Sequence, residues 1–324
     1  QQQDQGVSAC ATTAIWCAVQ SIAPRESLPT PAPAEITEAA SRYLLIGGRA
    51  LPSEGLTIQQ ICEAIRSAGL APVVHRPAGP DADRAQLLGY IASGFAPIIA
   101  IESMQGNGDG HAVCGVGLKL SDVKPQVDPN LHYRDAASAI EGIYVHDDRL
   151  GPYASVQLFG HTVQSGVRTG LEIRWPDRTP AELSLLKGLV VPLPIKVRLT
   201  VSRMRALGHQ LAQVTGLMFP HLSRDIVLHY RYRLGTEYQR MGFEFGLSEK
   251  GLLTLVGGSV LSRYIGIVEI ETSEGALFDV VLDATETRAN PSALLCVCRR
   301  ASADRALING LEILADQLGA RFVR

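Results

Sequence analysis

Over the first 195 residues the apolar spacing turns from mainly helical to strand-sized between Gly94 and Gly110, and that change sets the fold class. Upstream of it they recur at helical intervals, so that 9–22, 34–45, 57–68 and 83–93 read as helices. Ser8 stands where a cap for the first is needed, and Ala14, Ala18 and Ile22 give it a small-residue stripe. Thr57 is placed to cap the third helix, Gly69 to close it, and Gly94 to break the fourth. The run APVVH is a short strand between them. Downstream the runs are strand-sized and apolar: APIIAIE, HAVCGVGL, GIYVHDD, RTGLEIRW and KGLVVPLPI. Helices first and strands after predict an α+β domain, N-terminal helices followed by an antiparallel sheet.

A second unit is expected to begin near residues 196–200. It opens with the helical VSRMRALGHQLAQVTG, continues through SRYIGIVEIET, ALFDVVLDAT and SALLCVCRR as strands, and closes with the periodic helix ADRALINGLEILADQLGA. The division expected is thus 1–195 and 196–324, the latter a smaller α/β domain. In the first unit a polar insertion, KLSDVKPQVDPNLHYRDAASAIEG, separates two strands and reads as a lid, a groove rim or an inert loop. The alternating HYRYRLGTEY reads as a solvated strand face, with a basic aromatic edge as the rarer reading.

A formal net charge of -2 gives no footprint for nucleic acid. No apolar run approaches the ~18 residues of a membrane span. The six cysteines, Cys10, Cys17, Cys62, Cys114, Cys296 and Cys298, are too few for a disulfide scaffold in 324 residues, so reduced thiols and a cytoplasmic setting are expected. Cys296 and Cys298 lack a second ligand pair and read as core. The chain starts at Gln1 without methionine, so an N-terminal segment, a class that includes signal peptides and propeptides, is expected to have been removed or left out.

Cys10 opens an apolar helix in QGVSACATTAIWCAV, where the helix dipole favours thiolate over thiol. His111 opens the strand of GDGHAVCGVG, following Gly108, Asp109 and Gly110. Alternation puts His111, Val113, Gly115 and Gly117 on one face and turns Cys114 to the other, which removes Cys114 as a nucleophile. In GIYVHDD, Ile143, Val145 and Asp147 share a face; Asp148 remains a competitor for the acid role, because strand ends fray. A thiol, an imidazole and a carboxylate in this order are the parts of a cysteine nucleophile with its base and orienting group. His146 belongs near this site, whereas His75, His132, His161, His209, His221 and His229 show no paired ligand spacing and read as surface or core residues.

These motifs resemble the papain-like cysteine peptidases: QG then Cys at a helix start, GHAV on a strand, and an acidic residue ending the next strand. The middle segment, ICEAIRSAGLAPVVH, LLGYIASGFAPIIAI and GHAVCGVG, is similar to the bacterial peptidases that remove double-glycine leaders from bacteriocins. The resemblance covers roughly residues 1–155 and extends at most to 195. It implies that Cys10 is the nucleophile, His111 the general base and acid, and Asp147 the orienting carboxylate. It also implies an oxyanion site formed by the Cys10 backbone amide and a glutamine. The family places that glutamine six residues before the cysteine, where this chain has Asp4; Gln5 is preferred over Gln3 because Gly6 follows it. The residues after Asp147, DRLG, lack the tryptophan of plant-type members.

The resemblance implies a peptidase acting on a peptide or protein substrate at a peptide or isopeptide bond, through an acyl-enzyme and without metal or organic cofactor. An acyltransferase or transglutaminase-like enzyme would use the same triad with an amine in place of water. A binding protein on a peptidase-like fold would keep the residues without turnover. The second unit, with no catalytic signature, is expected to recognise substrate or partner.

Overall fold

The computed structural model describes residues 10–42, 55–105, 110–122, 125, 127, 132–174, 180–257, 261–287, 292–300 and 303–324. The chain is α+β and divides into two compact units, 1–121 with 140–195, and 122–139 with 196–324. The insertion between the two strands of the first unit therefore joins the second. None of the described helices is long and apolar enough to cross a membrane.

The first unit opens with α1 (Cys10–Ile22), α2 (Pro33–Ser41) and α3 (Ile58–Ser67). Local chemistry sets their ends. Pro33 starts α2, and Glu35 reaches back to the Ala32 amide at 2.7 Å. Thr57 and Gln60 cap α3 reciprocally, at 3.0 and 3.3 Å. Gly69, at φ 80°, ends that helix in a conformation that costs other residues strain. β1 (Ala71–His75) and α4 (Pro80–Ile91) follow, and Gly94 (φ 76°) turns the chain into β2 (Ile98–Ser103).

Then come β3 (Gly110–Leu120), β4 (Arg134–Asp135) of the second unit, β5 (Ile140–Asp147), β6 (Gly151–Val163), β7 (Gly166–Ile173) and β8 (Glu182–Leu193). The strand order is β1-β8-β2-β3-β5-β6-β7, antiparallel throughout, and β7 also pairs with β8. β8 meets β2 along one edge and divides its other edge between β7 (through Glu182–Leu185) and β1 (through Leu189–Leu193). Six strands of the expected antiparallel sheet thus close into a barrel, and only β1 of that sheet lies outside the ring. Closure removes edge strands and buries residues on both faces of β2 and β3, as with Ile98, Ile99, Val113 and Cys114. α1 packs on β3, and Cys114 faces Cys17 of that helix.

The second unit comprises β4, α5 (Val201–Met218), β9 (Val227–Leu234), α6 (Gly235–Met241), α7 (Glu249–Val256), β10 (Tyr264–Thr272), β11 (Gly275–Asp283), β12 (Ala293–Cys298), α8 (Arg305–Leu318) and β13 (Arg321–Val323). Its six-stranded sheet runs β13-β12-β11-β10-β9-β4, with parallel pairs at the two ends and antiparallel pairs between. Tyr238, Phe245 and Leu255 cover one face, over Ile265, Ile267, Val281 and Val297. On that face Asp279 is fully buried, holding Tyr238 Oη at 2.7 Å and the Arg299 guanidinium at 2.8 Å.

β9 carries the HYRYRL part of the HYRYRLGTEY segment: Tyr230 and Tyr232 are buried, and Arg231 pairs with Glu269 at 2.9 Å. Of the alternating faces, the tyrosine one packs into the core and the one with His229, Arg231 and Arg233 is half-buried. Residues 132–139 are held there by Asp135, which accepts from Arg205 at 2.7 Å and Tyr230 at 3.1 Å.

Candidate active site

β3 and β5 are antiparallel neighbours, with Cys114 opposite His146 and Gly115 opposite Val145. Continued one residue, that register puts Asp147 on the face of Val113, the same face as His111. The beginning of β3 and the end of β5 thus lie side by side. Cys10, the first residue of α1, joins them there.

The Cys10 thiol and the His111 ring lie close enough for each to shift the other's pKa. His111 Nε2 lies 3.2 Å from Asp147 Oδ1, which leaves Nδ1 as the nitrogen available to the thiol. Cys10 is buried, and His111 and Asp147 expose 10% and 0% of their side chains, so water screens the cluster poorly.

Each ionisation follows from these contacts. Burial works to raise the Cys10 pKa, but the hydrogen bond and charge of His111, with the Ala112 backbone amide, outweigh it and hold the thiol below its ordinary value. Burial works to lower that of His111, but the Asp147 and Cys10 hydrogen bonds and the Asp147 charge push it up to about 9. For Asp147 the burial penalty is overcome by His111 and Arg149, which hold the carboxyl well below the usual carboxylate range. All three directions favour a thiolate–imidazolium pair backed by a carboxylate. By contrast, burial pushes the Cys114, Cys62 and Cys296 thiols up, the last to about 12.

Sequence reasoning missed Arg149. Its backbone N–H donates to Asp147 Oδ1 at 2.7 Å, its guanidinium lies 3.4 Å from Asp147 Oδ2, and it reaches Glu182 of β8 at 3.4 Å. A basic residue two positions past the strand-end acid was the available signal. Asp148, the competing acid, lies 3.7 Å from His111 Nε2, outside hydrogen-bonding range. His146 packs edge-on against Tyr153, with ring centroids 4.9 Å apart. Gln5, its rival Gln3, Asp4, Ser8, Gly108 and Asp109 lie outside the described residues.

His111, Asp147 and Asp148 present ligand atoms within 4.8 Å of one another. Arg149 already supplies the positive charge that a cation would bring to Asp147, so the cluster fits a proton network better than a metal. A second group, His229, Glu269 and Glu271, is likewise committed, Glu269 to Arg231 and Glu271 to His229 at 2.8 Å.

Comparison with models of known protein families finds no match, and comparison with curated proteins finds none either.

Proposed function

We propose that the chain is a thiol hydrolase, a cysteine peptidase that cleaves a peptide or isopeptide bond through Cys10, His111 and Asp147. The observation that carries this reading is the convergence of Cys10, His111 and Asp147, with His111 Nε2 3.2 Å from Asp147 Oδ1 and the His111 ring interacting with the Cys10 thiol. The pKa of Cys10 is lowered there and that of His111 raised. The resemblance of GHAVCGVG and its neighbours to papain-like peptidases supports it further.

In this mechanism the Cys10 thiolate attacks the scissile carbonyl carbon, and a C–S bond forms as the carbonyl π pair moves to oxygen. The positive end of α1 and the Cys10 amide stabilise that oxyanion, with Gln5 as the proposed second donor. The C–N bond then breaks, and the His111 proton goes to the departing amine. A water molecule gives its proton to His111 and attacks the acyl-enzyme, and the thiolate leaves. Asp147, pinned by Arg149, keeps the ring aligned and stabilises its positive charge. Residues 196–324 are proposed to recognise substrate or partner.

The experiment is exposure of the full chain to a peptide mixture from a digested proteome, with new termini read by mass spectrometry. New termini from the natural chain and none from the Cys10→Ala variant are expected. No new termini from either, with no acyl adduct on Cys10 from peptide esters, would overturn the reading. An amide formed with an added amine, instead of a free acid, would move it to acyl transfer.

A further inference from the structure

We infer that Asp148 carries a proton while Cys10 is a thiolate, and that this carboxyl is a positioning residue whose ionisation returns Cys10 to the thiol. Its side chain is 1% exposed, and neither carboxylate oxygen has a hydrogen-bond partner among the described residues. Buried carboxylates are almost always satisfied, because an unpaired buried charge costs several kcal/mol. The adjacent Asp147 shows the contrast, with His111, the Arg149 amide and the Arg149 guanidinium all donating to it.

Charge balance points the same way. The groups facing Asp148 are Cys10 from α1, His111 from β3, and Asp147 and Arg149 from its own strand end; Glu182 of β8 stands behind Arg149. A Cys10 thiolate, a His111 imidazolium, an ionised Asp147 and Arg149 sum to zero, and the Glu182 carboxylate on Arg149 makes the cluster net negative. Ionising Asp148 would add an uncompensated negative charge beside the thiolate. Consistent with this, burial raises the Asp148 pKa, His111 opposes, the Asp147 charge adds to burial, and the net shift is upward. The Asp148 charge in turn raises the Cys10 pKa.

Two states of equal protonation follow: Asp148 as acid with Cys10 as thiolate, or Asp148 as carboxylate with Cys10 as thiol. The proton lost by one oxygen is the proton gained by the sulfur, relayed by His111 or solvent, so the pair titrates as a unit. The inference rests on the thiolate–imidazolium reading above.

The test is the pH profile of Cys10 alkylation by iodoacetamide, resolved by peptide mass spectrometry, in the full chain and in its Asp148→Asn variant. Asparagine keeps the shape and removes the charge. The midpoint of Cys10 ionisation is expected to fall by about half a pH unit or more, about threefold in rate on the acid limb. An unmoved or raised midpoint, with Cys10 still alkylated fastest, would overturn the role of Asp148 and leave the thiolate reading intact. Cys10 alkylated no faster than Cys62 in both proteins would overturn both.

Should Asp148→Asn fail to fold, shown by exposure of Cys114 to the reagent, the natural chain decides. Alkylation of Cys10 at neutral pH removes the thiolate charge, so the infrared difference spectrum is expected to lose one protonated-carboxyl band. A spectrum without that loss would overturn the inference.

Discussion

His111 Nε2 lies 3.2 Å from Asp147 Oδ1, and that oxygen also accepts the Arg149 backbone N–H at 2.7 Å. The carboxylate is therefore fixed by the backbone of its own strand end before it fixes the imidazole. A ring held from one side by a rigid acceptor presents its other nitrogen in one direction, toward Cys10. Preorganisation of this kind lets a buried thiol ionise in spite of its desolvation.

Asp147→Asn removes the charge that raises the His111 pKa and leaves Arg149 facing a neutral amide. Hydrolysis by the proposed triad is expected to fall by about 100-fold or more, and Cys10 alkylation at pH 6 to slow with it. Steady-state turnover and the alkylation rate, measured on the same preparation, check this; unchanged rates would mean that Asp147 does not orient the ring.

Stability should report the same ion pair. The His111 pKa is raised to about 9 from about 6.5 in an unfolded chain, so its contribution is complete below about pH 6.5 and is lost as pH rises through about 9. The Asp147 pKa is depressed, so its contribution is complete above about pH 3.9 and is lost as pH falls through the folded value. Because the lowered Cys10 pKa opposes this over the same window, Tm measured from pH 5 to 10 is expected to decline between pH 6.5 and 9 more steeply in Cys10→Ala than in the Cys10→Ala, His111→Ala double variant. Parallel curves would contradict the assignment.

The strand that carries Asp147 has little room on its outer partner. A Cβ added at Gly142 would lie 2.3 Å from the Val156 carbonyl oxygen across the β5–β6 pair, and that atom is backbone. Gly142→Ala should cost about 1–3 kcal/mol, seen as a lower urea midpoint, and should slow Cys10 alkylation by displacing β5. A midpoint equal to that of the natural chain would show that β6 yields freely.

What was legible in the sequence was local. Thr57, Gly69 and Gly94 mark helix ends through contacts with residues a few positions away, and the structure ends the elements there. Strand alternation correctly separated Asp147 from His146, and His111 from the buried Cys114, because side-chain period is fixed by backbone geometry. Barrel closure was not legible, since it depends on β7 finding β8 from Gly170–Leu185 to Ile173–Glu182. β6, which no sequence signal singled out, carries Gly151, Pro152 and Gly160, residues that weaken a strand pattern, yet it forms a long hairpin with β7. The placement of 122–139 was decided by Asp135 meeting Arg205 and Tyr230, residues 70 and 95 positions away, which no local pattern announces. At the site, Asp148 was weighed as an orienting acid; that its oxygens have no hydrogen-bond partner among the described residues is visible only in three dimensions.

Asp279 offers a prediction in the second unit. It is fully buried, and burial together with the Glu269 charge, against Arg299, raises its pKa to about 6. Asp279→Ala would remove the nearer carboxylate of the Arg299 guanidinium, which lies over the Phe245 ring at 3.6 Å and keeps Glu269 at 3.7 Å, and is expected to cost about 3 kcal/mol. Chemical denaturation followed by Trp-independent circular dichroism measures it; a loss below about 1 kcal/mol would mean that water reaches Arg299.

The central claim is that Cys10 alone among the cysteines rests as a thiolate. Its most direct measurement is competitive iodoacetamide alkylation of the native chain at pH 6, with each cysteine peptide quantified over time. Cys10 is predicted to react at least about tenfold faster than Cys62 and Cys114, and to lose that advantage in His111→Ala. Equal rates at Cys10 and Cys62, or an advantage that survives the loss of His111, would contradict the account.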